Sequence, residues 1–199
     1  MQKSFVPALV LVLMALGSTL ALAQTEAGGP KWKLGAGAGY GFPVGSFRDA
    51  YDGGFTFGVS GCYMFSSKHG LELAAERAKF PANNDYVIAL EGLTGNHADA
   101  DFVYLPIMVN FVESFPIGGS VVPYVKGGLG IYFETAEREI AGKKQSRNEN
   151  DFGFNLGGGI RLPVARAMEI DVAARFHSIM TEDRSTQYLT IGAGIGFMF

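Results

Sequence analysis

Period-two alternation of apolar with small or polar residues recurs eight times between residues 31 and 199, in segments of similar length. We expect strands at 31–41, 55–65, 71–80, 101–112, 122–134, 151–162, 168–177 and 187–199. In the last of these, Leu189, Ile191, Ala193, Ile195, Phe197 and Phe199 are apolar, while Thr190, Gly192, Gly194 and Gly196 between them are small. Such a strand has one greasy face and one nearly bare face. The first strand repeats the pattern with Trp32, Leu34, Ala36, Ala38 and Tyr40, and the fourth with Val103, Leu105, Ile107, Val109 and Phe111. Each segment is close to the ~9–11 residues that a tilted strand needs to cross a bilayer.

The gaps are sorted by length. Those at 42–54, 81–100 and 135–150 are long, those at 66–70 and 163–167 are short, 113–121 is shorter than its neighbours, and 178–186 is intermediate. Short turns on one side and longer loops on the other are the plan of an all-β, eight-stranded antiparallel up-and-down transmembrane barrel of the bacterial outer membrane. A β-sandwich also yields short alternating strands, but it has no reason to sort its connections this way.

Aromatic placement agrees with a lipid-facing surface. Trp32, Tyr63, Phe65, Phe111, Phe197 and Phe199 fall near the turn side of the greasy face. Tyr40, Phe55, Phe57, Phe133, Phe152, Phe154 and Phe176 fall near the loop side, with Val59, Ile107, Leu129, Ile131, Val172, Ile191 and Ile195 between. Two aromatic girdles around an aliphatic belt suit a membrane barrel.

The opposite face mixes glycine with charge. Glu72, Glu76, Lys126, Arg161, Glu169, Asp171 and Arg175 all have inward parity, as do Glu134, His177, Tyr104, Tyr124 and Tyr132. Eight strands enclose an interior just filled by side chains. Charges there must pair or stay wet, so an interior charge network is expected. Arg175 would have Glu169 and Asp171 on its own strand face, and glycines of the first and last strands would make room for the tyrosines opposite.

The N-terminus, "MQKSFVPALVLVLMALGSTLALAQTEA", has a positive n-region at Lys3, an apolar stretch from Phe5 to Leu16, and a small-x-small site at Ala21-Leu22-Ala23. This reads as a secretory signal peptide over 1–23. A short segment, 24–30, and a barrel domain, 31–199, follow. No lipobox cysteine lies near the cleavage site. The sole cysteine, Cys62, excludes a disulfide-stapled scaffold. Charged residues are only 18% and the net charge is −3, with no large basic cluster beyond Lys143, Lys144 and Arg147. Nucleic acid is therefore not an expected partner.

The stretches "FPVGSFRDAY", "YLPIMVNF", "PYVKGGLGIYF" and "IDVAARFH" together with the final aromatic strand resemble the outer membrane β-barrel domain family, the small OmpA/OmpX-like and opacity-like eight-stranded barrels. The resemblance covers residues 31 to 199. It implies a structural or surface-interaction role, a narrow passive channel as the alternative, and a lipid A-modifying enzyme as a third possibility. It also implies that Gly194, Phe197 and Phe199 form the C-terminal signal read by the barrel-assembly machinery.

Site chemistry is sparse. "GAGAGYG" and "GAGIGF" lack the G-x-G-x-x-G spacing and a following helix, so they read as strand interiors. His177 and Ser178 are adjacent, which puts them on opposite faces of a strand and denies them the contact that a nucleophile and base need. His69 and His97 fall in connections on opposite sides of the membrane, so no metal site is expected, and no cofactor. Arg77 and Lys79 break the apolar parity at the loop end of the third strand, where a lipid-face charge costs only ~0–1 kcal/mol. They are candidates for lipopolysaccharide contact. The connections 81–100 and 135–150 are read as solvated loops able to face a partner.

Overall fold

A computed structural model describes residues 32–94, 98–117, 120–140, 143–181 and 185–199. The leader expected over 1–23 and the segment 24–30 lie outside these residues, as does His97. The strands are β1 (Trp32–Val44), β2 (Gly54–Met64), β3 (His69–Pro81), β4 (Ala98–Ser114), β5 (Val122–Ile140), β6 (Lys143–Ala165), β7 (Met168–Met180) and β8 (Ser185–Met198). They pair in chain order and close on themselves, with every neighbour antiparallel. At the seam, β1 and β8 run in register from Lys33↔Met198 to Val44↔Gln187. Trp32 and Phe199 extend that ladder by exchanging backbone hydrogen bonds of 3.1 and 3.0 Å.

Alternation fixes which side chains go where. Trp32, Phe111, Phe197 and Phe199 stand exposed near the turns, and Phe55, Phe57, Phe133, Phe152 and Phe154 near the loops. Val59, Ile107, Leu129, Val172, Ile191 and Ile195 are exposed between them. This outward band is the lipid surface of a transmembrane barrel. The opposite parity fills the lumen, where Tyr104, Tyr132, Tyr188, Met108, Asn110, Val112 and His177 are fully buried.

The strands keep the expected order and parity, but the loop side differs from the sequence reading in three places. First, 135–150 is not a loop: β5 and β6 continue through it as a ribbon paired up to Ile140↔Lys143. The charged sequence there has no apolar face to signal a strand, because the ribbon stands above the lipid. Second, 81–100 contains helix α1 (Asn84–Thr94). Its start is capped by the Asn83 side chain, whose Oδ1 accepts a 2.9 Å hydrogen bond from the Tyr86 N–H. Third, β1 runs on to Val44 and leads into a 3-10 turn at Gly45–Phe47. Gly45 has φ +63°, a left-handed conformation that favours glycine, and this turn sends Phe47 back into the barrel mouth.

Candidate functional site: a stoppered lumen and an open sheet edge

The lumen is built in three levels. Nearest the turns, Lys33 Nζ lies 3.1 Å from Glu169 Oε2. Arg161 Nε lies 3.5 Å from Glu169 and 3.7 Å from Asp171. Arg161 also donates to Ser114 Oγ at 3.2 Å, and its guanidinium sits 4.0 Å over the Tyr124 ring. The Tyr124 hydroxyl in turn donates to Asp171 at 3.0 Å.

The middle level centres on Glu72. Its Oε1 accepts from Lys126 Nζ and Asn110 Nδ2, each at 2.9 Å, and its Oε2 accepts from Lys126 at 3.2 Å. Asn155 completes the chain by donating to Asn110 Oδ1 at 2.8 Å. Arg175 reaches Glu72 at 3.9 Å and Glu76 at 3.7 Å. Glu72 is 4% exposed and Lys126 7%, so this is a desolvated cluster in which each charge depends on its partners.

The outer level is aromatic. Tyr188 stacks on His177 with ring centroids 4.3 Å apart and an interplanar angle of 9°. His177 Nδ1 is hydrogen-bonded to the Tyr132 hydroxyl at 3.0 Å. Tyr104 also stacks on Tyr188, and Phe80 meets it edge-on. Phe47, inserted by the 3-10 turn, packs against Phe80, Phe102 and Tyr104. These rings pack together as one buried cluster at the loop end of the lumen.

Between the charged levels and the wall made by β1, β2 and β8 lies a cavity of about 160 Å³. Gly35, Gly37, Gly58, Gly192, Gly194 and Gly196 line it. The seam glycines answer to close strand approach: a Cβ on Gly194 would sit 2.7 Å from the Ala36 carbonyl oxygen, and one on Gly37 2.9 Å from that of Ala193. The expectation that these glycines accommodate tyrosines needs correction. Tyr132 instead packs on Gly153 of β6, and only Tyr124 of the three tyrosines lines the cavity.

The seven acidic and basic residues singled out in the sequence thus share one lumen, but the partners differ in one respect. Arg175 bridges to Glu72 and Glu76 across the barrel, whereas Glu169 and Asp171 of its own strand pair with Arg161. Side chains rising from one strand are two residues apart along a wall, while the lumen is narrow enough to be spanned by an arginine. Lys33, Asn110, Asn155 and Tyr188 also belong to this interior. Their inward parity was a readable signal, with Lys33, Asn110 and Asn155 each set between apolar neighbours. Phe47 carried none, because a loop has no parity.

On the outer face, the Arg77 guanidinium lies 5.8 Å from the Phe57 ring centroid, and Lys79 Nζ pairs with Asp101 at 2.6 Å. His177 points into the lumen, while Ser178 takes the other face, in register between Phe154 and Gln187. Among the described residues no cluster of three or more histidine, cysteine or acidic side chains is arranged for a metal.

Above the lipid, β4, β5 and β6 rise together as a three-stranded sheet, paired from Ala98↔Ile140 on one side and Ile140↔Lys143 on the other. Among the described residues, pairing of β6 with β7 starts at Phe152↔Met180, and 143–150 is an edge.

A family model described as outer membrane protein beta-barrel domain matches residues 8–199. No curated protein matches by sequence. Among solved structures, Neisserial surface protein A is similar with a TM-score of 0.61 at 16% identity, covering 87% of this chain and 100% of its own. Ail, the attachment invasion locus protein of Yersinia pestis, gives 0.53 at 18%, covering 85% and 100%. The N-terminal β-barrel domain of Pseudomonas aeruginosa OprF gives 0.52 at 17%, covering 86% and 100%. At these identities the likeness is one of fold.

Proposed function

The chain belongs to the outer membrane protein β-barrel domain family, and from that premise we propose that it is a non-enzymatic barrel whose role is structural and surface-directed. The aromatic stopper at the outer mouth supports this reading most strongly, because it sets a wall of packed rings across the path a solute would take. The ion-paired interior below it adds side chains held by mutual contacts rather than left free to line a pore. The protruding β4–β5–β6 sheet is the part offered to the outside.

Three finer proposals accompany it. Residues 1–23 are a cleaved leader, which the intact mass of the membrane-extracted protein tests; retention of those residues refutes it. Gly194, Phe197 and Phe199 on the seam strand are the pattern read by the assembly machinery. Arg77, whose cation lies on the lipid face, contacts lipopolysaccharide phosphate, with Lys79 as the weaker contributor because Asp101 already holds it.

A narrow passive channel is the second reading. It is favoured by the cavity of about 160 Å³, which has room for several waters beside the charged levels. Swelling of liposomes loaded with small sugars separates the two. The surface-directed reading expects no swelling above protein-free vesicles; rapid swelling transfers the role to transport. A lipid A mass spectrum unchanged by overexpression is the result expected of a non-enzymatic barrel, and a new deacylated species would contradict it.

A further inference from the structure

The eight residues 143–150 are paired in full on one side and, among the described residues, open on the other. β5 matches them from Ile140↔Lys143 to Phe133↔Asn150, while the described part of β7 reaches no further than Phe152. Residues 145–150 are all exposed. An unpaired edge presents the N–H and C=O groups of alternate residues outward and is a template for another strand. The parity set by the lipid-facing Phe152 and Phe154 places Gln145, Arg147, Glu149 and Asp151 together on the opposite face. Arg147 and Glu149 form an ion pair there, with side chains 80% and 43% exposed.

We propose that this edge pairs antiparallel with the same edge of a second copy anchored in a facing membrane, with Arg147 of each copy opposite Glu149 of the other. The proposal rests on the surface-directed role given above and names its partner.

Charge pattern and membrane geometry select that partner. Two copies in one membrane both carry β6 downward from its tip into the lipid. Their edges can meet only with like strand direction along the membrane normal. The two-fold axis relating them then runs along the strands, and that rotation puts Arg147 and Glu149 of the two copies on opposite faces of the joined sheet, where they make no charge contacts. A copy in a facing membrane carries β6 the other way. The two edges are then antiparallel, and the face that reads Arg147, Glu149, Asp151 in one strand meets the reverse order in the other. With Arg147 opposite Glu149 the two-fold pair makes both charge contacts at once. Charges on edge strands commonly prevent pairing; here the same charges gain no partner from a neighbour in the same membrane and gain two from a copy across the gap. Eight residues at ~3.4 Å each give an edge about 27 Å long, enough for a ladder that continues the β4–β5–β6 sheet into its twin.

The test is clustering of phosphatidylcholine vesicles carrying the full barrel, followed by turbidity, with folding checked by heat-modifiable gel mobility. Wild-type vesicles are expected to cluster. R147E puts carboxylates opposite one another, and E149R does the same with guanidinium groups, so each variant alone should cluster about tenfold more slowly or worse. Vesicles of R147E mixed with vesicles of E149R should recover, because the introduced carboxylate at 147 then faces the introduced guanidinium at 149. Wild-type vesicles that stay dispersed, single variants that cluster like wild type, or a mixture that fails to recover would each overturn the pairing. Vesicles that stay dispersed yet remain tight to sugars would remove only the homotypic partner; sugar leakage would instead remove the surface-directed role itself.

Discussion

Replacing Lys126 by methionine isolates the dryness of the lumen. The ammonium supplies two of the three hydrogen bonds to Glu72, at 2.9 and 3.2 Å, and the third comes from Asn110. After the substitution the carboxylate keeps Asn110 and the more distant Arg175 at 3.9 Å. Breaking a buried ion pair by removing one member costs ~3–5 kcal/mol, because the other charge is left without compensation. Glu72→Gln strands the ammonium and should cost a similar amount. The double substitution removes both charges, keeps an oxygen at position 72 for the Asn110 amide, and fills the space of the lysine stem. It should fall within about 1–2 kcal/mol of wild type. Denaturant titration in detergent micelles reads all four proteins, with the single tryptophan, Trp32, as the fluorescence probe. Strong non-additivity is the signature of a dry pair. If each single substitution costs under about 1 kcal/mol and the double is their sum, water screens the pair and the reasoning fails.

Phe199→Asp should impair assembly severalfold more than Met198→Asp, because residue 199 is on the lipid face and residue 198 on the other. A charge at the rim costs only ~0–1 kcal/mol in lipid, so a large loss of heat-modifiable barrel would report recognition during assembly, and equal defects would refute the parity. Gly194→Val should destabilise by about 1–3 kcal/mol or block closure, since its Cβ meets the Ala36 carbonyl. Gly61→Ala, which meets only the end of the Leu34 side chain at 3.4 Å, should remain near wild type; similar melting curves for the two would show that the seam is not tight. Arg77→Ala should weaken lipopolysaccharide binding about fivefold, near the ~1 kcal/mol per cation of an anionic surface. Lys79→Ala should have the smaller effect, and unchanged binding in both would end the proposal.

Much of the architecture was legible because a bilayer imposes it. Strand length, parity and girdle aromatics are all set by the thickness and polarity of lipid, and residues such as Phe111, Ile191 and Phe197 report them directly. Legibility fades where that constraint ends. The ribbon through 135–150 stands in water, so Glu137, Arg147 and Glu149 show no greasy face although they lie on strands. Helix α1 is announced by little more than Asn83 and the Asp85 that follows it. In the lumen, parity marks which side chains point inward, but partner choice depends on register across the barrel. That is why Arg175 goes to Glu72 and Glu76 rather than to the acids of β7. Phe47 is the clearest limit: its place in the stopper depends on the turn at Gly45 and on the rings of Phe80, Phe102 and Tyr104, none of which is near it in sequence.

Single-channel recording in planar bilayers tests the closed lumen most directly, with the wild type compared with a Phe47→Ala, Tyr188→Ala double variant. The stopper predicts a silent wild type and, once two rings are removed, openings of small conductance that lead through the cavity beside the charged levels. A wild type that already conducts steadily, at a level the double variant leaves unchanged, would contradict it and make the barrel a channel.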